Sequence, residues 1–349
     1  MTAARVALIG YGVGGAAFHA PLIASVPGLE LAAIVTRDER RRAQARHNHP
    51  DAALLARAEE VWERADEFDV VVIAAPNRAH VPLAHAALEA GLPVVVDKPL
   101  AATAAEAREL VDAARGRGLL LTVFQNRRWD GDVLTVRKLL EEGVLGRVAR
   151  FESRFERWRP QVAGGWRERH EPEEAGGVLY DLGSHLVDQA LQLFGPARLV
   201  YGELDARRPA ALVHDDAFLA LTHESGVRSH LWMSAVAADR GPRLRVLGER
   251  GAYVKYGLDI QEDALRAGRR PGEPSWGREP EECWGVLVLG DEKRPVPTEP
   301  GAYQRFYERL ATALRDGSAP PVDPGEAVAA LEVLDAARLS ARERRVIEL

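Results

Sequence analysis

Runs of consecutive apolar residues, rather than alternating ones, mark the first third of the chain: Val6-Ala7-Leu8-Ile9, Leu31 to Val35, Asp69 to Ala75, Val94-Val95-Val96 and Leu119 to Phe124. Such runs fit short strands buried on both faces, as in a parallel sheet covered by helices. Helical stretches fall between them. One reaches through Leu22 and Ile23, with Pro21 expected to kink it; one opens at Pro76-Asn77-Arg78-Ala79-His80; one runs from Thr103 to about Arg117. The alternation predicts an α/β domain with a doubly wound parallel sheet over residues 1–124. Past Gln125 strand-like segments dominate: Val148 to Phe155, Leu199 to Leu204, Ala217 to Leu221, Arg228 to Met233, Leu244 to Leu247, Ala252 to Lys255 and Val286 to Leu289. They predict an α+β domain with an open, mostly antiparallel sheet over residues 125–349. Arg266 to Gly285 reads as a loop, and helices near Tyr303 to Arg315 and Pro324 to Ala341 close the chain.

Composition narrows the class. A length of 349 residues suits two domains, and 46% apolar with 28% charged residues is ordinary for a soluble globular protein. A net charge of -6 gives no basic surface for nucleic acid. The single cysteine, Cys283, rules out an intramolecular disulfide and a cysteine-rich metal site, and fits a reducing compartment. With the first strand starting at Arg5, no signal peptide is expected, and no apolar run is long enough for a membrane span. A cytoplasmic protein acting on a small molecule is the expectation.

The first apolar run enters Gly10-Tyr11-Gly12-Val13-Gly14-Gly15 and then a helix, the context in which this spacing is the Rossmann dinucleotide fingerprint. Gly10 permits the tight turn, Gly12 lets a pyrophosphate approach the backbone, and Gly15 lets helix pack on strand. The second strand ends at Thr36-Arg37, where an NAD-binding domain usually offers Asp or Glu to the ribose 2'-hydroxyl. A hydroxyl and a guanidinium, followed by Arg40, Arg41 and Arg42, suit a 2'-phosphate instead, so NADP is the expected cofactor and NAD the alternative. The wet face of the next helix is the alternative for Arg42 and Arg40, and less so for Arg37, which sits in the loop itself. The expected cofactor-contacting residues are Gly10, Tyr11, Gly12, Val13 and Gly15; Thr36, Arg37 and Arg41; Ala75, Pro76, Asn77 and His80; and Asp97 and Lys98. Asn77 could cap its helix, touch the nicotinamide ribose, or both, and a histidine placed like His80 is more often structural.

Lys98 closes a strand at the carboxyl edge of the sheet, where open α/β folds bind ligands, and Pro99 stiffens the turn. A surface lysine ending a strand is the plainer alternative. In the second domain Asp181 and His185 stand four residues apart behind Gly176-Gly177, on one face wherever the turn is helical. The pair suits general acid/base work or two hydrogen-bonding arms for a polyol; a capping Asp beside a buried His is the structural alternative. With no further ligand at metal spacing, no metal is expected.

Taken together, the fingerprint, Asp97-Lys98-Pro99, and Asp181-x-x-x-His185 behind a glycine pair resemble the glucose-fructose oxidoreductase, inositol dehydrogenase and MocA (Gfo/Idh/MocA) family over nearly the whole chain. Asp97 stands for the family's usual Glu, and Ala175-Gly176-Gly177 for its three glycines. Phe18-His19-Ala20-Pro21-Leu22, Phe124 to Asp130, Leu179 to His185 and Lys255 to Asp259 look like its NADP-dependent scyllo-inositol dehydrogenase branch. The resemblance implies that Lys98, Asp181 and His185 face the substrate and that Lys98-Pro99 is cis. It places Asn126, Trp166 and Arg167 near the cofactor and Tyr303, which opens a Tyr-x-x-Phe-Tyr helix, near the substrate. Ordinary packing is the alternative for Trp166 and Tyr303. The activity it implies is that of an NADP-linked dehydrogenase or reductase acting on a CH–OH or carbonyl carbon of a cyclic polyol or sugar, in a crevice between the domains. Lys98 and His185 are both candidates for the acid/base. A hydrolase that retains its nicotinamide cofactor and a non-catalytic NADPH or sugar sensor are the alternatives. The uncovered face of the second sheet predicts a homodimer or homotetramer.

Overall fold

The structure, a computed structural model, describes residues 2–162, 164–165 and 168–349, so Trp166 and Arg167 lie outside the described residues. In chain order the first part runs β1 (Ala4–Ile9), α1 (Ala20–Ala24), β2 (Leu29–Val35), α2 (Glu39–Asn48), β3 (Ala53–Leu55), α3 (Glu59–Trp62), β4 (Val70–Ile73), α4 (His80–Glu89), β5 (Val94–Asp97), α5 (Ala104–Gly116) and β6 (Leu121–Phe124). Then come α6 (Gly131–Glu141), β7 (Val148–Glu156), α7 (Ser184–Phe194), β8 (Ala197–Asp205), β9 (Asp216–His223), β10 (Arg228–Ser234), β11 (Leu244–Gly248) and β12 (Ala252–Lys255). The chain ends with α8 (Gln261–Arg266), β13 (Gly285–Leu289), β14 (Glu292–Val296), α9 (Gln304–Asp316), α10 (Pro324–Glu343) and β15 (Ile347–Glu348).

Two compact units result. The first holds the chain up to Asn126 together with Gln261–Trp276 and Ala302–Val328; the second holds Arg127–Ile260, Gly277–Gly301 and Ala329–Leu349. The later segments join the first unit for identifiable reasons. Phe306 of α9 meets Phe124 edge-on at 5.0 Å, and the Thr122 hydroxyl donates to Val322 O at 2.8 Å.

In the first unit six parallel strands take the order β3-β2-β1-β4-β5-β6. Val6, Leu8, Val70 to Ile73 and Val94 to Val96 are fully buried, as unbroken apolar runs require. Chain order reverses between β1 and β4, so the glycine turn after β1 opens at the switch point where such sheets bind ligands. The helix after that turn begins as a π-helical stretch, Gly14–His19, and becomes α1 at Ala20. Pro21, where a kink is expected, lies in the first turn of α1, directly after this stretch. Thr103 and Glu106 form a capping box on α5.

The second unit carries a nine-stranded sheet, β14-β13-β12-β11-β7-β10-β9-β8-β15, antiparallel at every pairing except β7 with β10. Along β9, Ala217, Leu219 and Leu221 are buried while Phe218, Ala220 and Thr222 are half-exposed, the alternation of a sheet with one covered face. On the covered face α7 lies against β7 and β10, and α10 comes so close to β8 that a side chain at Gly202 would strike the Ala337 main chain. The opposite face is less apolar than expected. Phe218 and Trp232 pack at 5.1 Å, Arg154 lies 3.8 Å over Trp232, and Glu152 pairs with Arg150, Arg154 and Arg245.

Candidate functional site

The glycine turn is shaped by main-chain crowding. Gly10 leaves β1 at a φ of +101°, and a Cβ there would strike the Ala74 carbonyl; one at Gly15 would strike the Gly10 carbonyl. Gly12 differs, because the nearest atom to its absent Cβ is Arg41 Nη1, at 4.0 Å. That opening beside helix amides and a guanidinium fits a dinucleotide pyrophosphate. Val13 is 55% exposed on the same turn. Tyr11 is buried with its ring edge-on to His49 at 6.2 Å, so its main chain is what faces the turn; burial pushes its phenol up.

At the end of β2, Thr36 is buried and its carbonyl accepts from Arg42 Nη1 at 3.1 Å. Arg42 also donates to Leu55 O and Leu54 O, at 3.2 and 3.4 Å, so it ties β2 to β3 and does not belong to a wet helix face. Arg37, Arg40 and Arg41 are exposed. The nearby carboxylate, Asp38, caps α2 by accepting from the Arg41 amide at 2.9 Å. Arg41 is therefore held at the first turn of α2 while its guanidinium reaches Gly12.

At the end of β4, Ala75 is half-buried and Pro76 exposed. Asn77 is buried within a short 3-10 turn, Asn77–Ala79, whose N-cap is Pro76, so it is not a helix cap. His80 sits at the start of α4, beneath the same turn. It is 1% exposed, with Nδ1 2.8 Å from Pro99 O and Nε2 2.9 Å from Ala75 O, so both ring nitrogens serve to link the ends of β4 and β5. Burial pushes the imidazole down, against Asp97 and those carbonyls.

β5 delivers Asp97 and Lys98, and the Lys98-Pro99 peptide is cis. The Lys98 amide donates to Asp97 Oδ1 at 2.9 Å, and Lys98 is half-buried. Asp97 Oδ2 lies 3.7 Å from His19 Nε2 and 3.1 Å from where a Gly14 Cβ would be, which sets the carboxylate against the glycine turn. Burial pushes that carboxyl up, but His19 and the Lys98 charge outweigh it and hold the group below its ordinary range.

Asp181 and His185 come from different kinds of helix. Asp181 lies in a π-helical stretch, Leu179–Gly183, and His185 in the first turn of α7. Asp181 lines a cavity of about 200 Å³ within the second unit, together with Arg157, Glu168, Arg208, His214 and Ser234. His185 is 6% exposed, its ring edge-on to Phe155 at 6.2 Å. Gly177 lines the same cavity; it turns at a φ of +89°, and a Cβ there would come within 2.8 Å of His214 O. Burial pushes the His214 imidazole down.

Buried ion pairs hold these groups. Asp188 of α7 accepts from Arg128 Nε at 2.9 Å and Nη2 at 2.5 Å. Gln189 donates to Arg127 O and accepts from Arg243, both at 2.9 Å. On the cavity wall Arg208 is 2.8 Å from Asp215 and 3.1 Å from Glu168. Burial pushes the Asp215 carboxyl up, but the amides of Arg207 and Arg208 and the Arg208 guanidinium outweigh it and hold it below its ordinary range.

Tyr303 is the N-cap residue of α9; its side chain is fully buried in the first unit, 6.5 Å from the Phe18 ring, and its amide donates to Gln261 Oε1 at 2.7 Å. Asn126 is buried at the start of the 3-10 turn Asn126–Trp129. The cavity residues other than Asp181 carried no sequence signal, because Arg157, Glu168, Arg208, His214 and Ser234 come from separated segments without motif spacing.

Known proteins resemble the chain over both units. Residues 4–125 match the oxidoreductase family NAD-binding Rossmann fold, and residues 137–349 the oxidoreductase family C-terminal alpha/beta domain. The chain is 42% identical over 345 residues to the oxidoreductase YdgJ of Escherichia coli (strain K12), itself uncharacterized, covering 98% of each chain. It is 36% identical over 349 residues to the scyllo-inositol 2-dehydrogenase (NADP(+)) IolW of Bacillus subtilis (strain 168), covering 99% of this chain and 96% of that one. Among solved structures, the oxidoreductase yvaA from Bacillus subtilis superposes with a TM-score of 0.94 at 36% identity, covering 100% of this chain and 99% of that one.

Proposed function

The chain belongs to the Gfo/Idh/MocA oxidoreductase family, and from that premise we propose that it is an NADP-preferring dehydrogenase acting on a CH–OH carbon of a cyclic polyol such as an inositol. The observation that carries the substrate class is the full-length similarity to IolW, named for scyllo-inositol and NADP(+). The polar side chains that line the Asp181 cavity, Arg157, Glu168, Arg208, His214 and Ser234 among them, support it, since a small hydroxylated ring needs several converging hydrogen-bonding groups.

The nicotinamide, when bound, supplies the hydride chemistry. The protein's part is position and proton traffic. The glycine turn and Arg41 hold phosphates; Lys98 stabilises charge on the reacting oxygen; His185 exchanges that oxygen's proton; Asp181 anchors a neighbouring hydroxyl. The half-exposed face carrying Phe218, His230 and Trp232 supports a homodimer or homotetramer.

A panel of inositols, inososes and aldoses assayed with NADP and NAD tests the reading. Turnover of an inositol with NADP at least about tenfold better than with NAD is expected. Lys98→Met and His185→Ala should each lower kcat about a hundredfold or more while NADPH fluorescence still reports binding. The double variant should lose less than the product of the two. Near-normal turnover in either single variant would return that residue to a structural role, and a cofactor that stays bound without net absorbance change would favour a hydrolase.

A further inference from the structure

Three of the segments that resemble the inositol dehydrogenase branch or its helix motifs, together with the strand end of Asp97, meet at one buried imidazole that the reaction above does not use. His19 is fully buried. Its Nδ1 lies 2.5 Å from the hydroxyl of Tyr307, itself fully buried, and its ring sits 4.2 Å from that of Phe124. Phe306 packs edge-on to both Phe124 and Tyr307, at 5.0 and 5.2 Å. On the far side, His19 Nε2 points to Asp97 Oδ2 at 3.7 Å, a charge contact longer than a hydrogen bond. We propose that His19 is a positioning residue: braced by Tyr307, it holds Asp97, and through Asp97 it fixes the Lys98 amide and the glycine turn relative to each other.

Proton placement supports this role. If Nε2 carried only a lone pair, it would face a carboxylate oxygen and repel it. With the Tyr307 hydroxyl donating to Nδ1, the proton of a neutral ring falls on Nε2; in the charged ring both nitrogens carry protons and the hydroxyl accepts at Nδ1. Either arrangement turns an N–H toward Asp97. Asp97 is also met by the Lys98 amide on Oδ1 at 2.9 Å and by the Gly14 backbone beside Oδ2, and it feels the charges of Lys98 and His80. A carboxylate cut loose from His19 would sit beside a turn built for phosphates and would no longer set the Lys98 main chain. The shorter Asp, standing where the family resemblance leads one to expect Glu, makes the position of this carboxylate depend on its second-layer partner.

This inference rests on the dinucleotide reading of the glycine turn, and the test separates the two. Tyr307→Phe removes one oxygen from a packed ring, and His19→Gln keeps a side-chain amide near Nε2. For each, thermal unfolding gives the fraction folded, fluorescence titration gives NADPH affinity, and kcat and KM are measured with the polyol that the wild type turns over. We expect the NADPH dissociation constant to rise about threefold or more and kcat to fall about tenfold, with the polyol KM changed by less than about twofold, since small misplacements act on the reacting geometry. On an Asp97→Asn background either change should cost less than about a further twofold in NADPH affinity, because the two residues act as one unit. Wild-type affinity and kcat in folded Tyr307→Phe, or losses that multiply on the Asp97→Asn background, would overturn the assignment and return the cluster to core packing. Should His19→Gln not fold, Tyr307→Phe decides alone. A wild type that does not bind NADPH would overturn the dinucleotide reading, and this inference with it; a wild type that binds, with variants that bind equally well, overturns this inference alone.

Discussion

Arg41 is the side chain on which the proposed preference for NADP can be tested. Asp38 caps α2 through the Arg41 amide, and the guanidinium lies 4.0 Å from the position a Gly12 Cβ would take. A cation reading a 2'-phosphate should matter to one cofactor only. Arg41→Ala is therefore expected to weaken NADPH about tenfold or more while changing NADH by less than about twofold in fluorescence titrations; equal losses would mean that it reads the pyrophosphate common to both. Asp215 shows the same dependence in stability. Its carboxyl is held below its ordinary range, so its stabilisation is fully present above the unfolded pKa of about 4 and is lost as pH falls through the lowered value. Asp215→Asn should lower the Tm at pH 7, with the gap to wild type closing as the pH drops below about 4. A gap that stays constant with pH would assign the loss to packing.

At the scale of elements, the segment bearing Asp181 and His185 is anchored through the next turn of α7. Asp188 and Arg128 are both nearly fully buried and joined by two hydrogen bonds, so removing one partner leaves a charge in the interior. Asp188→Ala should cost about 3–5 kcal/mol in denaturant unfolding, far more than an exposed pair on the same unit such as Arg147 with Glu249. A loss near that of the exposed pair would mean that water reaches Arg128. The same elements explain what was legible beforehand. β1, β4 and β5 announced themselves because strands buried on both faces must be unbroken apolar runs. β3 and β15, of three and two residues, are too short to carry a pattern, and β14 reads Glu-Lys-Arg-Pro-Val, an exposed edge with no apolar face. α6 did carry buried Val133, Val136 and Leu139 at helical spacing, a signal that the neighbouring Arg-Arg-Trp-Asp motif obscured. Of the site, Lys98, Asp181 and the glycine turn stand out as motifs. Arg208, Glu168 and His214 do not, because only the folded loops bring them to one cavity.

At the scale of the whole molecule, the second sheet presents Tyr201, Phe218, His230, Trp232 and Val286 on one side, interrupted by the Arg150, Glu152, Arg154 and Arg245 ladder. Among the described residues no helix is long and apolar enough to cross a membrane. Light scattering at micromolar concentration should show a dimer or tetramer, and Trp232→Glu should shift it toward monomer; a wild-type monomer would leave this face in water. Both units share a further feature: the helix after the glycine turn and the helix that carries Asp181 each open with a π-helical stretch, Gly14–His19 and Leu179–Gly183. A π-turn is what an α-helix becomes when one extra residue is accommodated without breaking it. Each stretch can thus be read as a retained insertion. Removing one residue from either would give back a regular helix, with its apolar face intact on one side of the cut and everything on the other side turned by about 100°. These two places should accept exchanges of one side chain for another far more readily than they accept a change in length.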